Sequence, residues 1–113
     1  MFDSLTTTAL TTALGGLSAR QRAIADNIAN VNTPGYQAKR IQFEDALAQS
    51  VSRGSGVAEI TTKVSLEPTN TEGNNVNLDT ETLSNIDTVL RYQFASRAVE
   101  GPFSSVRSAL RMN

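Results

Sequence analysis

Residues 27–36 read Asn-Ile-Ala-Asn-Val-Asn-Thr-Pro-Gly-Tyr, and this stretch decides where the N-terminal part of the chain stops being a helix. Upstream of it, Leu10, Leu14, Leu17, Gln21, Ile24, Ile28 and Val31 follow one another at alternating steps of four and three. That spacing is an a/d stripe with one polar interruption, the mark of a helix that packs lengthwise on others. Residues 10–31 would span about 33 Å at 1.5 Å per residue. Thr33 precedes a proline, which disfavours helical backbone, so the helix is expected to end there. Pro34 presets the first central position of a type II turn, and Gly35 supplies the positive φ of the second. Tyr36 then restarts the chain in a new direction.

The start of this helix is intrinsically weak. Thr6, Thr7, Thr8, Thr11 and Thr12 are poor helix formers, and Gly15-Gly16 costs about 1 kcal/mol per glycine relative to alanine. Such a segment should fray in isolation and hold once its stripe is covered.

Downstream, residues 41–51 predict a short helix with Phe43, Leu47 and Val51 on one side, followed by a flexible break at Arg53-Gly54-Ser55-Gly56. Residues 57–66 alternate, placing Ala58, Ile60, Val64 and Leu66 on one face of an expected strand. Its partner is not evident, and is expected from a distorted hairpin or a neighbouring subunit. Residues 68–77 are loop by composition. Asp79 is placed as an N-cap with Glu81 in the first turn, and the following helix is expected to bury Leu83, Ile86, Leu90 and Phe94. Gly101-Pro102 should kink or break that helix, and Phe103, Val106 and Leu110 resume the stripe. The fold expected is mainly α: long N- and C-terminal helices packing as a coiled-coil-like pair or bundle, around a small irregular or β-containing middle segment. The boundaries are residues 1–36 for the N-terminal helix and turn, 37–78 for the middle, and 79–113 for the C-terminal helix.

With 113 residues, 39% hydrophobic and 5% aromatic, and no tryptophan, the chain is lean in core-forming side chains. Part of its buried surface is expected to come from neighbours. The net charge of −1 argues against nucleic acid. Residues 1–40 and 91–113 carry positive surpluses of two and three, and residues 41–90 a negative surplus of six. Basic ends and an acidic middle suit complementary packing between copies or relatives, and equally suit solvated faces.

There is no cysteine or histidine, so the usual nucleophiles, general bases and zinc ligands are missing. Glu44-Asp45 diverge on a helix and read as solvated surface. Asn75, Asn77, Asp79 and Glu81 alternate oxygens as a calcium loop does, but Thr80 and Ile86 stand where its glycine and glutamate belong. Lys39-Arg40 is too short for a nucleic-acid patch. No catalytic residue, cofactor, metal or small-molecule substrate is expected. No apolar run reaches the roughly 20 residues of a membrane helix. The N-terminus lacks the basic start and apolar stretch of a cleaved secretory signal, so an exported protein would leave by another route.

The stretch at 24–36, with Asn27, Asn30, Asn32, Thr33, Pro34, Gly35 and Tyr36, resembles the N-terminal signature of bacterial flagellar rod and hook proteins. Gly73-Asn74-Asn75-Val76-Asn77-Leu78-Asp79, Leu90-Arg91-Tyr92-Gln93 and the ending Phe103-Ser104-Ser105-Val106-Arg107-Ser108-Ala109-Leu110-Arg111 resemble the proximal members of the flagellar basal-body rod family. The resemblance implies a non-enzymatic structural subunit of the axial drive shaft, located in the basal body and exported unfolded by the flagellar type III apparatus without signal cleavage. It implies other rod and basal-body proteins and copies of itself as partners. The surfaces that would meet them are Leu10, Leu14, Leu17, Ile24, Ile28 and Val31 on the first helix, and Leu83, Ile86, Leu90, Phe94, Phe103, Val106 and Leu110 on the last. Gly101-Pro102, and Asn77 where an aspartate is commoner, depart from the family pattern. The rival reading is a soluble helical adaptor or export chaperone of the flagellar system using the same stripes.

Overall fold

The computed structural model describes the backbone of residues 4–111 and the side chains of residues 4–101. Its elements run α1 (Ser4–Ala29), β1 (Lys39–Gln42), α2 (Glu44–Ser52), β2 (Thr61–Val64) and α3 (Leu78–Arg111). The two long helices pack along each other. Their direction is antiparallel: Asn27 near the end of α1 meets Glu81 in the first turn of α3, and Arg91 lies near Glu44, which also holds Arg20. The molecule measures 66 × 31 × 14 Å, elongated because α3 alone is about 51 Å long at 1.5 Å per residue.

The apolar core is small and belongs to the first half of the chain. Leu17 and Ala23 of α1 meet Ile41 of β1 and Phe43, with Ala13, Ala19 and Leu47 packed against them. Phe43 sits directly on α1 because Gly16 has no side chain. A Cβ there would lie 2.6 Å from the ring carbon Cγ. The glycine that weakens the helix locally is what admits its largest core partner. Arg20 lies over the same ring, 5.1 Å from its centre.

Several local expectations are corrected. α1 closes at Ala29 rather than Thr33: the backbone passes into tighter i→i−3 bonds, Val31 N–H to the Ile28 carbonyl and Thr33 N–H to the Asn30 carbonyl, while Asn30 Nδ2 donates to the Asp26 carbonyl at 2.8 Å and Asn74 Nδ2 to the Asn30 carbonyl at 2.9 Å. The short helix begins at Glu44 instead of 41, leaving Ile41 to β1, and Val51 is exposed. The strand is confined to Thr61–Val64, and its partner is β1 of the same chain, antiparallel, with Lys39 opposite Val64 and Gln42 opposite Thr61. Ile60, Val64 and Leu66 are exposed instead of forming a covered face. The segment at 53–56 is fastened to α1, since Thr12 Oγ1 donates to the Gly56 carbonyl at 2.8 Å.

At the start of α3 the cap is Asn77, whose Oδ1 accepts from the backbone of Asp79 at 3.0 Å and Thr80 at 3.3 Å. Asp79 instead supplies negative charge within the first turn. The helix runs through Gly101-Pro102 without a break. Side chains of Phe103, Val106 and Leu110 lie outside the described residues.

The two adjacent glycines should therefore respond oppositely to alanine. Gly15→Ala adds a Cβ at an ordinary 3.6 Å from Ile60 and should stabilise by roughly 1 kcal/mol through helix propensity. Gly16→Ala drives a methyl into Phe43 and should cost about 1–3 kcal/mol. Urea unfolding of the two variants against wild type measures both signs.

Candidate assembly interface

Two features surround the decapeptide: an asparagine-built junction inside, and an apolar stripe outside. Asn27 is fully buried and uses every hydrogen-bonding position of its amide. Its Oδ1 accepts from the Lys39 backbone N–H at 2.8 Å and the Tyr36 hydroxyl at 3.1 Å. Its Nδ2 donates to the Lys39 carbonyl at 3.0 Å and to Glu81 Oε2 at 3.1 Å. The side chain thus pairs with both backbone groups of Lys39, as a neighbouring strand would, and protects the outer edge of β1. Arg20 continues that protection by donating from Nη2 to the Ile41 carbonyl at 2.7 Å.

The turn itself is as expected. Gly35 has φ +75°, and the Tyr36 N–H donates to the Thr33 carbonyl at 3.2 Å, closing the type II geometry. Gly35 N–H donates to the Glu72 carbonyl at 2.8 Å, so the turn is tied to the loop before α3. Thr33 Oγ1 donates to Asn30 Oδ1, while Asn32 and Pro34 are exposed. Two more buried asparagines complete the junction. Asn74 Nδ2 donates to the carbonyls of Asn30 and Thr33, both at 2.9 Å. Asn75 accepts from the Ala38 N–H at 2.7 Å and donates to the carbonyls of Ser65 and Glu67. Burial moves the Tyr36 phenol upward from its ordinary pKa, so it stays a hydroxyl donor to Asn27.

Glu81 is the fully buried carboxylate of this junction. Arg40 Nη1 donates to its Oε1 at 2.7 Å, and Asn27 occupies the other oxygen. Arg40 Nη2 is enclosed without a hydrogen bond among the described residues and lies 3.8 Å from Glu67 Oε2. Nearer the surface, Arg20 grips both oxygens of Glu44 at 2.6 and 2.7 Å. That bidentate hydrogen bond, reinforced by charge, holds the Glu44 carboxyl below its ordinary value against the opposing effect of partial burial. Glu44 is therefore a paired group, not the freely solvated one its sequence context suggested.

The apolar stripe of α3 is placed contrary to expectation. Leu83 is 69% exposed, Ile86 53%, Leu90 60% and Phe94 75%. The side of α3 turned inward carries Glu81, Thr88 and Ala95, with Ser84 half-buried. At 100° per residue the two faces lie roughly 150° apart. Glu81, the buried carboxylate with its cation and its amide donor, lies on the inward side, and the stripe lies on the opposite one. On α1, Leu17 and Ile24 are buried, Leu10, Leu14 and Val31 are half-buried, and Ile28 is exposed. Periodicity located these side chains but could not say which ones the chain covers by itself.

A family profile described as Flagella basal body rod protein matches residues 10–37, which hold most of α1 and the whole turn. The flagellar basal body rod protein FlgB of Escherichia coli (strain K12) is 30% identical over 123 residues, covering 87% of each chain. That of Bacillus subtilis (strain 168) is 29% identical over 115 residues, covering 89% of each. The chain belongs to the FlgB family of flagellar basal body rod proteins. FlgB-type likeness extends along nearly the whole length. By contrast, flagellar basal-body rod protein FlgG of Caulobacter vibrioides shares 44% identity over 48 residues, 40% of this chain and 18% of that one. Membership in the FlgB family makes this chain a structural component of the flagellar basal body.

Two substitutions test the junction. Asn27→Ala strands both backbone groups of Lys39 and one oxygen of Glu81 and should cost about 3 kcal/mol. Asn27→Asp keeps the shape but faces one carboxylate with another, and its urea midpoint should fall at neutral pH. At the turn, nothing lies within 4 Å of a Cβ built on Gly35, so substitution there strains only the backbone. Gly35→Val should cost roughly 1–3 kcal/mol and Gly35→Asn less, because asparagine tolerates positive φ. Thermal melts paired with motility assays should show the same order, valine worse than asparagine.

Proposed function

We propose that this chain is a structural subunit of the proximal part of the flagellar rod, joined to copies of itself and to other rod and basal-body proteins through its two long helices. The observation that carries the reading is the exposed apolar stripe on α3, Leu83, Ile86, Leu90 and Phe94. Contiguous apolar surface of this kind marks a protein contact. Ile28, at the end of α1, adds to the surface left uncovered. Leu10, Leu14 and Val31 are half-covered in the single chain, and Phe103, Val106 and Leu110 continue the a/d pattern toward its C-terminus. These residues form the proposed assembly surface, while Leu17 and Ile24 hold the subunit together from inside. A surface that packs against a different surface on the next subunit builds a ring where the rotation closes and an open helical tube or filament where it does not.

The role is mechanical and not enzymatic. The chain has neither histidine nor cysteine, and its relatives carry the names of rod proteins. Export unfolded through the flagellar type III apparatus, without a cleaved signal, suits a chain whose own apolar core is so small. A free-standing adaptor or export chaperone would use the same stripes, but likeness to rod proteins along nearly the full length favours the rod.

Burial separates the two kinds of stripe residue in a test. Leu90→Asp and Ile28→Asp place a charge on surface that is already 60% and 41% exposed. The isolated chain should keep its helix content and unfolding midpoint, and cells should export the protein yet lack rods and motility. Leu17→Asp buries an unpaired charge in the core and should unfold the chain instead. Basal-body microscopy, secretion assays and circular dichroism read the three outcomes, and a motile Leu90→Asp strain would remove the α3 stripe from the assembly surface.

A further inference from the structure

Glu81 is an expensive way to join two helices. Replacing a buried ion pair by apolar residues of similar volume is commonly neutral or stabilising. The structure nonetheless places at position 81 a carboxylate with no solvent exposure, bonded to Arg40 of β1 and Asn27 of α1. Of the rest of the inward face, Ser84, Thr88 and Ala95 are small or polar, with Val99 half-buried at its far end, and among the described residues the apolar core cluster contains none of α3. Meanwhile the most hydrophobic face of α3 stands roughly 150° away around the helix, in solvent. Left to the hydrophobic effect alone, α3 would roll that face onto α1.

We propose that the Asn27–Arg40–Glu81 network is an orientation lock: it fixes the rotation of α3 about its own axis so that Leu83, Ile86, Leu90 and Phe94 stay outside and available to the next subunit. Glu81 is a positioning residue for the assembly surface. Any rotation that buries the stripe would carry its carboxylate away from both of its donors, taking from Arg40 its shortest ion pair and from Asn27 one of its four hydrogen bonds. The lock works by the cost of an unpaired buried charge, with apolar affinity pulling the other way. That the stripe is an assembly surface rests on the rod reading given above. That Glu81 controls its exposure does not, and the two are tested separately.

The chain has no cysteine, so Leu90→Cys gives a single labelling site on the stripe. Maleimide labelling of the isolated full chain is measured in three backgrounds: wild type, Glu81→Gln, and the paired apolar replacement Arg40→Met with Glu81→Leu. Wild type should label fast, and Glu81→Gln, which keeps one acceptor oxygen for Arg40 but turns its NH2 toward the Asn27 donor, should label at a rate between wild type and the paired variant. The paired variant should stay folded by circular dichroism, with an unfolding midpoint equal to or above wild type, and should label at least roughly tenfold more slowly because the stripe has become protected. Fast labelling in a folded paired variant would overturn the lock, since the stripe would then stay outside without it. Unfolding of the paired variant would overturn it as well, because the network would be holding the chain together and not choosing its orientation. If labelling slows as expected while the paired variant, restored to Leu90, still builds rods in cells, the lock stands and the assembly role of the stripe falls.

Discussion

The buried amide of Asn27 is the contact on which the other elements depend. It sits near the end of α1, matches the backbone N–H and carbonyl of Lys39 as a strand would, anchors the Tyr36 hydroxyl after the turn, and reaches Glu81 at the start of α3. One side chain therefore joins both long helices, the first strand and the turn. An amide suits this position because it offers two donors and two acceptors at fixed angles. A carboxylate would lose the donors, and an aliphatic residue would leave backbone polar groups buried without partners. Asn74 and Asn75 extend the same logic to the loop before α3. The middle segment, with little apolar content of its own, is held by side-chain amides standing in for missing backbone neighbours.

Polar fastening inside and apolar surface outside is the reverse of the usual arrangement, and it fits a part that has to be joined to others. The core made by Leu17, Ala23, Ile41 and Phe43 is enough to shape α1, β1 and α2 into a unit. α3 is attached to that unit by hydrogen bonds and ion pairs, chiefly at its N-terminal end, and keeps its strongest hydrophobic affinity unspent. The uneven charge along the chain has a matching internal explanation. Arg40 with Glu81, Arg20 with Glu44, and Arg91 near Glu44 pair cations of the ends with acids of the middle within one molecule. Their geometry also gives acid a defined effect. Because Arg20 holds the Glu44 carboxyl below its ordinary pKa, the stability from that pair is complete above the ordinary glutamate range and fades as pH falls through the lowered value. Solvent screens the exposed part of this pair, so the contribution is modest.

What could be read from the chain alone were features that local chemistry decides. Seven side chains at steps of three and four announced α1. Pro34-Gly35 announced a type II turn, and Gly35 does take a positive φ, because no other residue adopts that backbone at so little cost. The string of asparagines with Thr-Pro-Gly-Tyr, together with the motifs in 73–79 and 90–93, pointed to the rod family, and the FlgB relatives bear that out. The mainly helical plan with a small β-containing middle followed from the same patterns.

The tertiary structure decided everything that depends on competition between distant groups. A period of three and four shows that α3 has an apolar face, but its direction is set by where Glu81 finds Arg40 and Asn27, 41 and 54 residues away in the chain. The strand at 61–64 finds its partner in Lys39–Gln42, a Lys-Arg-Ile-Gln run with no alternating apolar pattern to announce it. Gly16 reads as a helix defect until Phe43 is seen resting on it. Pro102 reads as a helix breaker, yet α3 continues through it. Local propensity is a matter of about 1 kcal/mol per residue, and packing or a buried charge outweighs it. Sequence periodicity therefore determines which helices exist and that they carry sticky faces, and the buried Asn27–Arg40–Glu81 contact determines which of those faces the molecule leaves open.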